Sequence, residues 1–262
     1  FFKQKTAYEI STRDWSSDVC SSDLEKHAEK LIVALDLDSA PEARSVVSEL
    51  KGTVGAFKVG LQLFTGGGRE LVRDLVESGV RVFLDLKFHD IPNTVASAAV
   101  EAARLGVWMF NVHAFGGGEM MRRTSDSVRE FCSSSSTQAP IMLAVTVLTS
   151  WDQENIREIG VTENLSEQIL RLARLTKDSG FDGVVASAHE VSSIRGAVGD
   201  GFTVLTPGIR PSFATKDDQK RVMTPAEAVR AGSDYIVVGR PVLNAPDRAR
   251  AVEAILGELA GI

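Results

Sequence analysis

Eight short apolar runs rich in β-branched residues recur along this chain, each followed by a segment of helical period. That alternation restricts the fold to parallel strands joined by crossover helices. The runs are Leu31 to Leu37, Ala56 to Leu61, Val80 to Lys87, Trp108 to His113, Ile141 to Thr149, Gly183 to Ser187, Thr203 to Pro207 and Tyr235 to Gly239. Helices are expected at Pro41 to Leu50, Arg69 to Ser78, Asn93 to Leu105, Asn164 to Ser179, Pro225 to Ala231 and Pro246 to Leu259. Ser39 precedes Pro41 and Thr224 precedes Pro225, so a capping hydroxyl and a first-turn proline mark two helix starts. Gly52, Gly79, Gly106, Gly180 and Gly232 fall where helices should stop. Eight cycles between residues 25 and 262 predict a closed (β/α)8 TIM barrel forming a single α/β domain. An open doubly wound sheet is the competing architecture, but it calls for a glycine-rich turn after the first strand, where Asp36-Leu37-Asp38-Ser39 stands.

Residues 1–24 break the rhythm, with Ser/Asp clusters, no sustained period and no apolar core of the kind a secretory signal needs. The first methionine is Met109. The segment resembles translated sequencing-adapter read-through, and it is expected to be a disordered or loosely attached leader outside the 25–262 domain. Hydrophobic residues make up 44% of the chain and charged residues 24%, with a net charge of −6, which suits a soluble protein and gives no support to a nucleic-acid partner. No apolar run approaches the roughly 18 residues needed to cross a bilayer, so no membrane association is expected. Cys20 and Cys132 supply neither a disulfide framework nor a metal-ligand spacing, and a reducing cytoplasm fits best. The Ser133 to Ser136 run is read as a solvated loop before the fifth strand.

In such a barrel the chemistry belongs at the carboxyl ends of the strands. The first strand offers Asp36 there, the second Lys58, the third Asp85 and Lys87 with Asp90 just beyond, and the fourth Asn111 and His113. Strand five ends at Thr149-Ser150, strand seven runs into Thr206-Pro207-Gly208-Ile209-Arg210, and strand eight ends at Gly239-Arg240. Alternation in an extended strand points Asp85 and Lys87 to one face. Clustered charges lose hydration unless their neighbours replace it, so five of them converging on one mouth mark a functional site more readily than a set of structural ion pairs. Gly239 and Arg240 suit an anion, because barrels often hold a phosphate in the loops after strands seven and eight. Arg210 and Gln219 lie in a polar segment, Pro211 to Arg221, long enough to fold over a ligand. His113 is read as a hydrogen-bonded interior residue and His89 as a loop residue. Asp36 and Asp85 are a conceivable Mg²⁺ pair, but Lys58 and Lys87 already supply positive charge there, and no metal is expected.

These residues carry a resemblance to the orotidine 5′-phosphate decarboxylase family of the bacterial type. The carriers are Ala34-Leu35-Asp36, Phe57-Lys58-Val59-Gly60, Asp85-Leu86-Lys87-Phe88-His89-Asp90-Ile91-Pro92-Asn93-Thr94, Val145-Thr146-Val147-Leu148-Thr149-Ser150, Thr206-Pro207-Gly208-Ile209-Arg210 and Val238-Gly239-Arg240. Only the first 24 residues have no counterpart. The resemblance implies cofactor-free decarboxylation of orotidine 5′-monophosphate to UMP, with Lys87 as general acid, Asp85 beside the departing carboxylate, and Lys58 and Asp90 completing an alternating Lys-Asp-Lys-Asp array. It further implies a homodimer in which Asp90 and Thr94 reach into the partner's site. Asp36 and Lys58 are implied at the ribose hydroxyls, Thr149 with help from Ser150 at the pyrimidine edge, and Arg210, Gln219, Gly239 and Arg240 at the phosphate.

Two rivals remain. A Mg²⁺-dependent sugar-phosphate β-keto acid decarboxylase of the same superfamily resembles the chain in its Asp-x-Lys-x-x-Asp strand, but carries an acidic metal ligand where Lys58 stands. A catalytically silent phosphate-binding barrel is the second, against which intact Lys87, Asp85 and Asp90 speak.

Overall fold

Residues two apart on a strand share a face, and here that parity separates two apolar layers. Leu31, Val33 and Leu35 of the first strand point outward into the layer shared with the helices, whereas Ile32 and Ala34 point to the barrel axis. The computed structural model describes residues 26–214 and 223–261. The expected leader, residues 1–24, lies outside the described residues, as do Gln219 and the part of the Pro211 to Arg221 segment from position 215 onward.

Eight parallel strands close into a barrel in sequence order, with the eighth paired to the first. They are β1 (Leu31–Ala34), β2 (Ala56–Gly60), β3 (Val82–Phe88), β4 (Met109–His113), β5 (Ile141–Val145), β6 (Gly183–Val185), β7 (Thr203–Thr206) and β8 (Tyr235–Val238). The interior is filled by inward residues such as Phe83, Met109, Leu143, Val185, Leu205 and Val237, so the barrel is a packed core rather than a pore. Gly183 is required where β6 meets β7, since a Cβ there would lie 2.1 Å from the Thr203 carbonyl oxygen.

Several helices begin or end on the signals expected of them. Helix α1 (Ala40–Leu50) starts at Ser39, whose hydroxyl accepts the Glu42 N–H at 3.3 Å. Helix α2 (Leu61–Glu77) starts earlier than the Arg69 expected, because the residues after β2 are already helical and Gly68, at φ +63°, kinks the element midway. Helix α3 spans Pro92–Arg104. Helix α4 (Gly117–Ser135) corrects the reading of Ser133 to Ser136 as loop: the first three of these serines are helical and Ser136 ends the helix in the left-handed conformation. Ser134 and Ser135 return their hydroxyls to the Phe131 carbonyl, which lets polar side chains remain in a helical turn.

The remaining helices are α5 (Gln153–Glu158), α6 (Leu165–Asp178), α7 (Val191–Val198), α8 (Pro225–Arg230), α9 (Arg240–Leu243) and α10 (Arg248–Ala260). Thr224 and Glu227 form a reciprocal capping box at the start of α8. The five glycines expected to stop helices all have φ between 77° and 108°. The fifth strand is shorter than expected, leaving the sheet after Val145 so that residues 146–149 bend over the mouth.

Candidate active site

The charged residues continue the inward rows of the barrel by one step. Asp36 follows Ala34, Lys58 follows Ala56, Asp85 follows Phe83, and Asn111 follows Met109, so each stands above an apolar interior residue. The parity that packs the core therefore aims the polar groups at the mouth.

Lys58 Nζ lies 3.2 Å from Asp36 Oδ1 and 3.2 Å from Asp85 Oδ2. Lys87 Nζ lies 2.6 Å from Asp85 Oδ1, which also accepts the Asn111 Nδ2–H at 2.7 Å. An unbroken chain of alternating charge, Asp36, Lys58, Asp85, Lys87, thus crosses three strands. Burial by itself opposes charge on Asp85, but the ammonium groups of Lys58 and Lys87 and hydrogen bonds from Lys87 and Asn111 outweigh it and hold the carboxyl below its ordinary range. For Lys58 burial again opposes charge, and Asp85 and Asp36 reverse it, raising the ammonium above its ordinary value. Asp85 and Lys58 therefore each hold the other's charge in place near neutral pH.

Asp85 and Lys87 meet as expected, though not through a regular strand. Leu84 pairs with Phe110 and Phe88 with Val112, so four residues of β3 cover the span of two on β4. Lys87 sits in this bulge at φ +52°, one of two non-glycine residues with positive φ among those described. Its backbone N–H donates to Asn111 Oδ1 at 2.8 Å. Strand alternation suggested neither the bulge nor the Asn111 contacts. The available signal was a polar residue at an inward, fully buried position of β4.

Lys58, Asp85 and Lys87 of the array form one wall of a cavity of about 150 Å³, with Thr149, Pro207 and apolar side chains such as Val145, Leu148 and Val185 completing its lining. A polar wall facing an apolar one suits a flat ring with a charged substituent. Gly239 lies beside Asp36, where a Cβ would come 3.3 Å from the carboxylate. Arg210 and Arg240, which follow β7 and β8, line a second, more open cavity of about 300 Å³ with Phe213 and Asn244. Ser150 is exposed next to Thr149.

Asp90 and Thr94 are not in the array. Both are exposed, and among the described residues no ion pair links Asp90 to either lysine; its Oδ1 accepts the Ile91 N–H at 2.6 Å. His89 is exposed beyond β3, as read, and stacks on His113 with ring centroids 5.7 Å apart. His113 departs from the expectation of a hydrogen-bonded interior residue, because its Nδ1 is buried without a partner among the described residues. Burial, then the positive potential of His89 and Lys87, lowers its pKa from the ordinary 6.5 to about 4.

The described residues contain no group of three or more His, Cys, Asp or Glu placed to hold a metal ion, and the gap between Asp36 and Asp85 is filled by the Lys58 ammonium. Nor is any described helix long and apolar enough to cross a membrane.

A closed barrel with an ionised array at the carboxyl ends of its strands and two arginines beyond β7 and β8 defines the class: a (β/α)8 protein with a mouth built for a charged, phosphate-sized ligand. Within that class, residues 29–255 match the model of the orotidine 5′-phosphate decarboxylase / HUMPS family, and the chain belongs to that family. It is 53% identical over 231 residues to an orotidine 5′-phosphate decarboxylase of Syntrophotalea carbinolica, covering 88% of this chain and 95% of that one. The counterpart in Geobacter sulfurreducens is 53% identical over 232 residues, covering 88% and 96%. Among solved structures, the orotidine 5′-phosphate decarboxylase of Lactobacillus acidophilus superposes with a TM-score of 0.78 at 40% identity, covering 87% of this chain and 98% of that one.

Proposed function

We propose that this protein removes CO₂ from C6 of orotidine 5′-monophosphate to give UMP, the last step of de novo pyrimidine nucleotide synthesis, without a metal or other cofactor. The observation that carries this reading is the Asp36-Lys58-Asp85-Lys87 chain, whose last three members line the central cavity. The relatives named as orotidine 5′-phosphate decarboxylases support the substrate.

The chemistry follows from the charges. Cleavage of the C6–carboxylate bond leaves its electron pair on C6 in the plane of the pyrimidine, where the ring π-system does not delocalise it. The site must stabilise that localised charge and protonate it. Lys87 does both: its ammonium faces C6, and one N–H proton passes to the carbanion, leaving a neutral amine that solvent reprotonates. Asp85, held ionised by Lys58 and Lys87, stands by the departing carboxylate and disfavours the ground state through like charge. Asp36 and Lys58 hold the ribose hydroxyls. Thr149, with Ser150 beside it, reads the pyrimidine edge. Arg210 and Arg240 grip the phosphate together with Gly239 and Gln219, and binding energy from this remote group raises the rate at C6.

The working unit is a homodimer in the cytoplasm, and Asp90 and Thr94 act in the partner's site. Three exposures support this. Asp90 and Thr94 are exposed and stand outside their own array, and Ile91 between them is 67% exposed, so the three lie on one accessible stretch at the start of α3.

The direct test follows the loss of orotidine 5′-monophosphate absorbance with purified protein in EDTA. Turnover is expected at full rate in the chelator. Turnover only on addition of Mg²⁺ would instead favour the sugar-phosphate β-keto acid reading, which the position of the Lys58 ammonium between the two carboxylates disfavours.

A further inference from the structure

We infer that Asn111 is a positioning residue for the reaction: its carboxamide holds the Lys87 backbone in the left-handed conformation and, in the same contact, fixes Asp85. The inference rests on the reading of Lys87 as proton donor.

The geometry leads there in three steps. First, the β3 bulge places Asp85, Leu86 and Lys87 out of register with β4, and the β4 residue between the two resuming pairs, Phe110 and Val112, is Asn111. A bulge interrupts the backbone ladder, so the Lys87 N–H needs another acceptor, and the Asn111 Oδ1 supplies it at 2.8 Å.

Second, Lys87 at φ +52° is in the left-handed region, which side-chain-bearing residues rarely adopt, so something must hold it there. With regular extended backbone, Lys87 would continue up the strand. The turn in the bulge instead brings its ammonium back to 2.6 Å from Asp85 Oδ1. Third, the other half of the same amide donates to that same oxygen at 2.7 Å. One fully buried side chain thus ties the backbone of the proton donor to the carboxylate its ammonium engages.

The residue type follows. The site needs an acceptor for the Lys87 N–H and a donor for Asp85 on one short neutral group, and a carboxamide carries them on two separate atoms, Oδ1 and Nδ2. A carboxylate would accept from Lys87 but repel Asp85, and an aliphatic group would leave the Lys87 N–H without its acceptor and remove one donor from Asp85. Asn111 does not line the cavity, so its effect on the reaction must pass through Lys87 and Asp85.

The test compares Asn111→Leu and Asn111→Asp with wild type, measuring kcat, KM, UMP affinity and kcat against pH, with Lys87→Ala alongside. Asn111→Leu is expected to lose roughly 100-fold in kcat while UMP affinity shifts by less than about threefold, because the misplaced group acts in the chemical step rather than in nucleotide binding.

Asn111→Asp preserves the shape and keeps the test alive if the leucine variant does not fold. Its introduced carboxyl, once protonated, again offers an O–H to Asp85 and a carbonyl to the Lys87 N–H. The ratio of its kcat to that of wild type is therefore expected to rise as pH falls, a signature that a purely structural role would not give. A ratio independent of pH, or kcat within about threefold of wild type in every variant that folds, overturns the positioning role. If Lys87→Ala remains active, the assignment of the proton donor fails instead. An inactive Lys87→Ala beside a wild-type-like Asn111→Asp overturns the positioning role alone.

Discussion

The lower layers of the barrel interior and its mouth are built from the same strands at positions two residues apart, yet they carry opposite chemistry. Below lie Ile32, Phe83, Met109, Leu143 and Val237, and above them Asp36, Asp85 and Asn111, with Lys58 between the two carboxylates and Lys87 beside Asp85. Each fully buried apolar side chain below stabilises the fold by about 1.5–3 kcal/mol. The ionic layer above offers no comparable return, since desolvating several charges offsets much of their attraction. The lower layers thus secure the fold, and the mouth spends part of that stability to hold charges in a fixed order. The two layers should fail differently when altered.

The sharpest break is at Lys87. Lys87→Ala is expected to lower kcat by about 10⁴-fold, at the upper end of what a general acid contributes, while leaving UMP bound and the fold nearly intact. Asp85 retains Lys58 and Asn111 after that change, so no buried charge is stranded. Mixing Lys87→Ala with Asp90→Ala under subunit exchange extends the measurement to the dimer. If Asp90 serves the neighbouring site, half of the sites in each heterodimer contain both residues, and activity returns toward half of the wild-type value per heterodimer. No recovery would place Asp90 in its own subunit's site. An active Lys87→Ala would erase the distinction between the layers.

Leu143→Ala tests the lower layer from the other side. Leu143 is fully buried on the barrel axis and does not line the cavity at the mouth. Its truncation is expected to destabilise the protein by about 2–5 kcal/mol in urea unfolding, with kcat and KM within about twofold of wild type for the molecules that remain folded. A comparable loss of kcat would show that the interior layers are not separable.

Much of this contrast was legible in the sequence because it follows strand alternation. The eight runs, the glycine stops at Gly52 and Gly180, and the inward row that ends in Asp36, Lys58 and Asp85 are all matters of period. What escaped depends on departures from period or on pairing between strands. The β3 bulge converts two residues of rise into four, and no run of residues announces it; the task of Asn111 exists only because β4 lies opposite that bulge. Helix α4 was obscured in another way: its buried face includes Thr124 and Ser125, whose hydroxyls are satisfied by the Met120 and Gly180 carbonyls, so an apolar pattern understates it. Gly239 and Arg240 follow from barrel topology as an anion site, their assignment with Arg210 to a nucleotide phosphate comes from family resemblance, and the structure adds that the two arginines share one cavity. Gln219 lies outside the described residues.

His113 probes the boundary between the layers, because it stands two residues above Asn111 yet takes no part in the ionic chain. Its pKa of about 4 means that the folded protein holds the ring neutral, whereas the unfolded chain protonates near the ordinary 6.5. A depressed folded-state value contributes stability that is complete above pH 6.5 and lost as pH falls toward 4. His113→Asn removes that proton uptake. The stability of the variant is therefore expected to fall less steeply than that of wild type between pH 6.5 and 4, by up to about one proton in slope, with the steeper acid loss from Asp85 retained in both. Urea midpoints measured across that range decide it. Equal slopes would show that the ring is protonated alike in both states, and would make His113 part of the solvated mouth rather than of the buried wall beneath it.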